Sequence, residues 1–167
     1  MVGYTDLHGG LDCVAAWRDP QQLCMDILDD PERVHAALRL ANESFLPIFD
    51  HYDKVLKVHD QLSINWMGIP SRGTMHVPSC DFSALTSTEI FCEFYFPSLV
   101  NEVSHTNHYI FHVDGVGVLR HLDHILSLPR VQAIQWVQGV DDDLPIMQWL
   151  EVIKRVQAAG KGVLVDL

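Results

Sequence analysis

Strand-like and helix-like segments alternate along the chain, and this order constrains the fold more than any other feature of the sequence. Short runs rich in β-branched and aromatic residues, such as Tyr109 to Val113 and Ala133 to Val137, are separated by stretches in which apolar residues recur with helical spacing. Such an alternation is typical of parallel strands whose connecting helices cover the faces of the sheet. The sequence therefore predicts an α/β fold with mostly parallel strands.

The two ends of this pattern bear on the size of the domain. The first strand-like segment, Val2 to Leu7, begins almost at Met1, and no helix follows the last one, Gly162 to Leu167. The 167 residues hold about five βα units of roughly 30 residues each, whereas a closed eight-unit barrel takes about 250 residues. We therefore expect one domain, residues 1–167, that forms a partial TIM (β/α) barrel and is a piece of a larger one.

Helix starts are predicted most clearly at two aspartate–proline pairs. Asp19-Pro20 and Asp30-Pro31 each place an N-cap residue before a proline in the first helical turn. From Val34 to Leu56 the apolar residues then fall on one helical face. Further helices are predicted for Gly117 to Leu128 and from Asp143 onward.

Composition limits the kinds of molecule that the protein is expected to bind and the compartment in which it is expected to work. The formal net charge of −11 argues against a surface that binds nucleic acid or an anionic membrane. None of the four cysteines belongs to a C-x-x-C pair, so neither a structural zinc knuckle nor a thioredoxin-type site is indicated. The sequence has no basic-then-apolar leader and no apolar run near about 18 residues. We therefore expect a cytoplasmic protein.

Polar residues stand where the predicted strands end, which is where β/α barrels carry their working residues. Asp6 and His8 follow the first strand, and His112 and Asp114 end the third. The members of each pair are two residues apart and therefore share one face of a strand. A histidine beside a carboxylate serves as an acid/base pair or as two metal ligands. The alternative is a structural pair, in which the two side chains only provide hydrogen-bond partners for each other at a strand end.

Two other histidines, His121 and His124, lie one helical turn apart. They have the spacing of metal ligands, but the sequence suggests no third ligand near them. We interpret them as part of a solvated helix face. For Cys80, beside Asp81, a buried thiol is the favoured interpretation over a metal ligand.

One long stretch of the chain resembles a known family. Residues His112 to Asp123, followed by Ala133 to Gly139, resemble the uroporphyrinogen decarboxylase superfamily, and most closely its decarboxylase-like branch related to corrinoid-dependent methyltransferases. The segments Asp6 to Asp12, Asp29 to Pro31 and Cys80 to Ser87 support the resemblance. It covers nearly the whole chain and implies a TIM-type barrel whose first strands precede this sequence.

The resemblance also implies a metal. The methyltransferase branch holds zinc with a His-x-Cys pair and a distant cysteine, and the zinc activates a thiolate acceptor. The matching segment here reads His112-Val113-Asp114, so a carboxylate replaces the cysteine. A site with histidine and aspartate ligands binds zinc or a harder metal. The tyrosine that follows the glycine–proline turn in the porphyrinogen decarboxylases has no match in the segment Val14 to Trp17.

We therefore expect an enzyme, or a fragment of one, that acts as a decarboxylase (a lyase) or a corrinoid-related methyltransferase on a small or tetrapyrrole-related substrate. The expected catalytic residues are His112, Asp114, Asp81 and His8, with His112 and Asp114 as ligands of zinc. The expected substrate-binding residues, among which Arg72 would meet a substrate carboxylate, are Asp6, Trp66, Arg72, Gln135 and Trp136.

Two alternatives from other classes stay open at this point. The polar strand ends could hold a ligand without chemistry, in a binding or assembly module, or the chain could be a truncated and inactive fragment. The expected partners are a small-molecule substrate and, for the methyltransferase alternative, a corrinoid protein. An exposed edge strand invites pairing with another chain, so we also expect a homo-oligomer that covers Val163 to Leu167.

Overall fold

The computed structural model of the protein describes residues 2–58, 62–139 and 146–165. The predicted helix start at Asp143 and the last two residues of the predicted final strand, Asp166 and Leu167, lie outside these residues. The elements follow in the order β1 (Val2–Gly3), α1 (Gly10–Arg18), α2 (Pro20–Asp29), α3 (Pro31–Leu56), β2 (Ser63–Ile64), β3 (Pro70–Ser71), β4 (Met75–His76), a 3-10 helix (Asp81–Leu85), α4 (Thr88–Ile90), a π-helical stretch (Phe91–Tyr95), α5 (Phe96–His105), β5 (His108–Asp114), a 3-10 helix (Val116–His121), α6 (Leu122–Leu126), β6 (Ala133–Val137), a 3-10 helix (Ile146–Trp149), α7 (Leu150–Ala158) and β7 (Gly162–Val165).

A parallel sheet organises the described part of the chain. Strands β4, β5, β6 and β7 pair side by side in chain order, and all three pairings are parallel. Helical segments connect each strand to the next, so the predicted α/β class is confirmed. A second, smaller sheet holds β1 parallel to β2, with β3 antiparallel to β2.

The predicted helix starts are confirmed at both aspartate–proline pairs. The Asp19 carboxylate accepts hydrogen bonds from the backbone N–H groups of Gln21 (2.9 Å) and Gln22 (3.2 Å) at the start of α2. Asp30 accepts one from the N–H of Arg33 (3.3 Å) at the start of α3. Helix α3 then continues through Pro47. No helix among the described residues is both long enough and apolar enough to cross a membrane.

The main core lies between the parallel sheet and its helices. Alternate residues of β5 and β6 point into this layer, because successive side chains of a strand face opposite sides. Phe111 and Val113 of β5 are fully buried in it, as are Ile134 and Trp136 of β6. Trp136 was predicted to contact substrate, but its side chain is 1% exposed and its ring meets Trp149 edge-on at 5.1 Å. The structure therefore places Trp136 in the core.

His121 shows where the sequence interpretation was wrong. The predicted helical segment is present as the 3-10 helix Val116–His121 followed by α6, but His121 is fully buried in place of being solvated. Its ring stacks on Phe91 with centroids 4.3 Å apart, and its Nε2–H donates to the Ser83 carbonyl at 3.0 Å. This helix packs closely against the 3-10 helix Asp81–Leu85, because a Cβ atom on Gly117 would lie only 2.9 Å from the Cβ of Ala84.

The burial of His121 predicts an acid-sensitive fold. Burial lowers the pKa of His121, and the nearby charges of Arg120 and His124 act in the same direction. The unfolded chain therefore binds a proton below about pH 6.5 that the folded chain does not. Stability from this group is present above about pH 6.5 and is lost as the pH falls through that value, by up to about 1.4 kcal/mol per pH unit.

A substitution at this position tests the prediction. His121→Phe keeps an aromatic ring on Phe91 and removes the proton-binding site. Urea unfolding at about pH 7.5 and about pH 5.5 should show a smaller loss of unfolding free energy for this variant than for the wild type. His51→Phe, at an exposed histidine of α3, is the control. Equal losses in wild type and His121→Phe would contradict the prediction.

Candidate functional site

Three residues with metal-binding side chains converge at the carboxyl ends of β4 and β5. One ligand atom from each of Asp81, His112 and Asp114 lies within 4.8 Å of the other two. This metal cluster, as we call these three residues, confirms that His112 and Asp114 share one face of β5. The backbone pairing explains the position of Asp81: His112 N–H donates to the Pro78 carbonyl (2.9 Å) and Ser79 bridges to His112, so the chain leaves the sheet beside the cluster.

Neighbouring side chains orient the His112 ring. Its Nδ1 lies 2.7 Å from Oε1 of Gln135, the residue opposite it on β6. An amide oxygen can only accept, so Nδ1 carries the proton and the lone pair is on Nε2. The indole of Trp66, from the turn between β2 and β3, meets the imidazole edge-on at 5.1 Å. Gln135 and Trp66, two of the five predicted substrate-binding residues, therefore contact His112.

The second predicted pair is also formed, but not on a strand: β1 ends at Gly3 and not at the predicted Leu7, so Asp6 and His8 meet in the segment between β1 and α1. His8 Nε2 lies 2.8 Å from Oδ1 of Asp6. On the other side of the ring, His8 Nδ1 is 3.3 Å from the Ser79 hydroxyl. Ser79 lies two residues before Asp81 and bridges to His112, so the Asp6–His8 pair contacts the backbone segment that leads into the metal cluster.

An acidic cleft of about 810 Å³ opens beside these residues. The described residues that line it include no lysine and no arginine; they are Asp6, His8, Asp12, Ala15, Ala16, Asp19, Pro20, Asp81, Phe82 and Leu85. Asp81 belongs both to the cleft wall and to the metal cluster. A cleft with this excess of carboxylates attracts cations and repels anions, so an anionic substrate would enter it only beside a bound cation.

The environment of Asp81 perturbs its carboxyl group. Burial raises the pKa of Asp81, and the negative charges of Asp12 and Asp114 raise it further. The imidazoles of His112 and His8 act in the opposite direction. Perturbed carboxyl groups in clefts are more frequent at functional sites than elsewhere.

Asp12 is a site residue that sequence reasoning did not single out. Its Oδ2 accepts the backbone N–H of Asp81 (2.9 Å) and the hydroxyl of Ser79 (3.3 Å), and its Oδ1 accepts the N–H of Phe82 (2.9 Å). The only hint in the sequence was that Asp12 ends the Asp6-to-Asp12 segment that supports the family resemblance.

Two other candidates supply no ligand atom to the metal cluster. Arg72 is exposed and precedes β4, at the opposite end of that strand from Asp81, so the structure does not bring it to the cluster. Cys80 is 1% exposed, and burial raises the pKa of its thiol well above the usual value. The thiol is therefore kept protonated in the core, as the sequence interpretation favoured.

Comparisons with known proteins add no identification. Neither family models, nor curated proteins, nor solved structures gave a match to this chain. The likeness to the uroporphyrinogen decarboxylase superfamily therefore stays a prediction from the quoted motifs. The functional interpretation depends on the residues of the metal cluster and the acidic cleft.

Proposed function

We propose that the chain is part of a divalent-metal-dependent decarboxylase, a lyase of the uroporphyrinogen decarboxylase-like type built on a partial TIM barrel. The observation that carries the proposal is the convergence of Asp81, His112 and Asp114 within 4.8 Å. The parallel order of β4 to β7 supports it, because active sites of β/α barrels lie at the carboxyl ends of the strands.

The donor set fits a catalytic metal ion. Catalytic zinc sites use three protein ligands and keep a further position open, and carboxylate ligands also suit Mn²⁺ and other hard cations. The hydrogen bond that His112 Nδ1 donates to the Gln135 side-chain oxygen is the kind of outer contact that orients a metal-binding histidine. A cation bound by the cluster would supply the positive charge that holds a substrate carboxylate and stabilises negative charge developing on the substrate.

The same residues favour decarboxylation over methyl transfer to a thiol. Asp114 stands where the methyltransferase branch has a zinc-binding cysteine, and the Cys80 thiol is buried away from the cleft. Among the described residues of the metal cluster, all ligand atoms are oxygen or nitrogen. Such a site suits a substrate that binds through carboxylate or carbonyl oxygens.

The Asp6–His8 pair is the proton source in this proposal. Both residues line the acidic cleft beside Asp81, and Asp6 fixes the His8 ring through a 2.8 Å contact. When the bond between the substrate carbon and its carboxylate breaks, CO₂ leaves and the electron pair stays on the carbon. With Nε2 held by Asp6, His8 delivers one proton from Nδ1, which lies 3.3 Å from the Ser79 hydroxyl, to that carbon, so that a carboxylate and a proton become CO₂ and a C–H bond.

Metal analysis and product formation test the proposal. The wild-type protein, stripped with a chelator and dialysed against Zn²⁺ or Mn²⁺, should hold one ion per chain and release CO₂ from a member of a panel of small carboxylates. His8→Gln should keep the metal and lower kcat by about 10²–10⁴-fold, the usual contribution of a general acid. A chain that holds no metal after dialysis would overturn the proposal.

The chain offers a matched control for His8. His105 and Asp50 form another histidine–aspartate pair, 2.7 Å apart, and neither residue lines the acidic cleft. His105→Gln should leave metal content and CO₂ release unchanged. Equal effects of His8→Gln and His105→Gln would exclude His8 as the proton source.

A further inference from the structure

We infer that Asp12 is a positioning residue that holds Asp81 in the metal cluster. The inference rests on the proposed function and extends it to a residue outside the three ligands. Asp12 belongs to α1, and its carboxylate reaches a segment that follows β4, 69 residues later in the chain. Its target is the 3-10 helix Asp81–Leu85, whose first residue is a proposed metal ligand.

The hydrogen bonds of Asp12 amount to a helix cap supplied from another element. The N-cap residue of the 3-10 helix is Cys80, whose side chain makes no capping hydrogen bond to the described helix. Asp12 takes over this role, since its two oxygens accept the first two N–H groups, those of Asp81 and Phe82, each at 2.9 Å. These bonds fix the backbone from which the Asp81 side chain projects toward His112.

Asp12 itself is firmly held. The N–H of Gly10, at the start of α1, donates to Oδ1 of Asn42 at 3.1 Å. The Ser79 hydroxyl donates to Asp12 Oδ2, and the buried Tyr95 hydroxyl donates to the Ser79 carbonyl at 2.7 Å. Asp12 thus connects α1, the end of β4 and the 3-10 helix in one hydrogen-bonded unit. Both of its oxygens are engaged as acceptors, so the carboxylate is fixed relative to the 3-10 helix.

Co²⁺ and Zn²⁺ titrations of Asp12 variants test the inference. Asp12→Ala should weaken metal binding about 10–100-fold, the usual effect of removing an outer contact of a metal site, and should change the visible absorption spectrum of bound Co²⁺. Asp12→Asn keeps one acceptor oxygen for one of the two N–H groups and sets its NH2 group against the other donor, so it should bind metal more weakly than wild type and more tightly than Asp12→Ala. Asp12→Glu, which displaces the carboxylate by one methylene, should also weaken binding.

Asp19 provides the control for charge. It lines the same cleft, but its Oδ1 caps its own helix, α2, so Asp19→Ala removes an equal charge without touching Asp81. We expect Asp19→Ala to bind metal as the wild type does. Equal weakening by Asp19→Ala and Asp12→Ala, or unchanged binding by Asp12→Ala and Asp12→Glu, would overturn the inference.

A different set of results would contradict the proposed function. If wild type and His112→Ala bind metal equally, or if neither binds any, the metal cluster is not the site, and the inference falls with it. If His112→Ala loses the metal while both Asp12→Ala and Asp12→Glu retain wild-type affinity and spectrum, the proposed function stands and only the role of Asp12 is wrong.

Discussion

Replacing His112 by alanine is expected to abolish stoichiometric binding of a divalent metal ion. His112 supplies the nitrogen donor of the metal cluster, and the remaining pair, Asp81 and Asp114, would be two carboxylates without an imidazole. Loss of an outer contact alone weakens metal sites by about 10–100-fold, so loss of this ligand should weaken binding by more than about 100-fold. Isothermal titration with Zn²⁺, checked by elemental analysis, measures the effect.

The same strand carries the matched control. His108 begins β5, is exposed, and contacts the Ser71 hydroxyl at 3.0 Å at the opposite end of the strand from Asp114. His108→Ala should keep one metal ion per chain. A His112→Ala protein that still holds one tightly bound ion would show that the metal binds elsewhere, and the proposed decarboxylase mechanism would lose its electrophile.

The features that sequence predicted correctly depend on neighbours along the chain. Strand β6 matches the predicted Ala133 to Val137, because its boundaries follow from a short apolar run after Pro129. The caps at Asp19 and Asp30 follow from an aspartate placed directly before a proline. His112 and Asp114 lie together because two residues of a strand separated by one always share a face.

The features that sequence did not predict depend on packing between distant segments. Sequence alone does not reveal that Asp12 would cap a helix that begins 69 residues later. The sequence favoured a solvated helix face for His121, but its ring is buried against Phe91, a residue 30 positions earlier in the chain. Trp136 and Gln135 are adjacent on β6, so only the position of the helices decides which of them faces the core and which faces His112.

Gly10→Ala is expected to cause the largest loss of stability among single-methyl additions near the site. Gly10 has φ +58°, and a Cβ atom there would lie 2.8 Å and 2.9 Å from two ring carbons of Tyr95. The left-handed conformation costs an alanine about 1 kcal/mol, and overpacking a core adds about 1–3 kcal/mol. The Tyr95 ring cannot turn aside easily, because it is buried and its hydroxyl donates to the Ser79 carbonyl. We expect unfolding free energy to fall by about 3 kcal/mol.

Gly160→Ala separates the cost of the left-handed backbone conformation from the cost of overpacking the core. Gly160, after α7, has φ +73°, but among the described atoms none lies within 4 Å of the Cβ that alanine would add. This variant should lose only about 1 kcal/mol, and the difference between the two variants in urea unfolding measures the contact with Tyr95. Equal losses would mean that the ring moves. The Tyr95 hydroxyl donates a hydrogen bond to the Ser79 carbonyl, and the Ser79 side chain contacts Asp12 and His8. A clash that displaces the Tyr95 ring should therefore also weaken metal binding in Gly10→Ala. Gly160→Ala should bind metal as the wild type does.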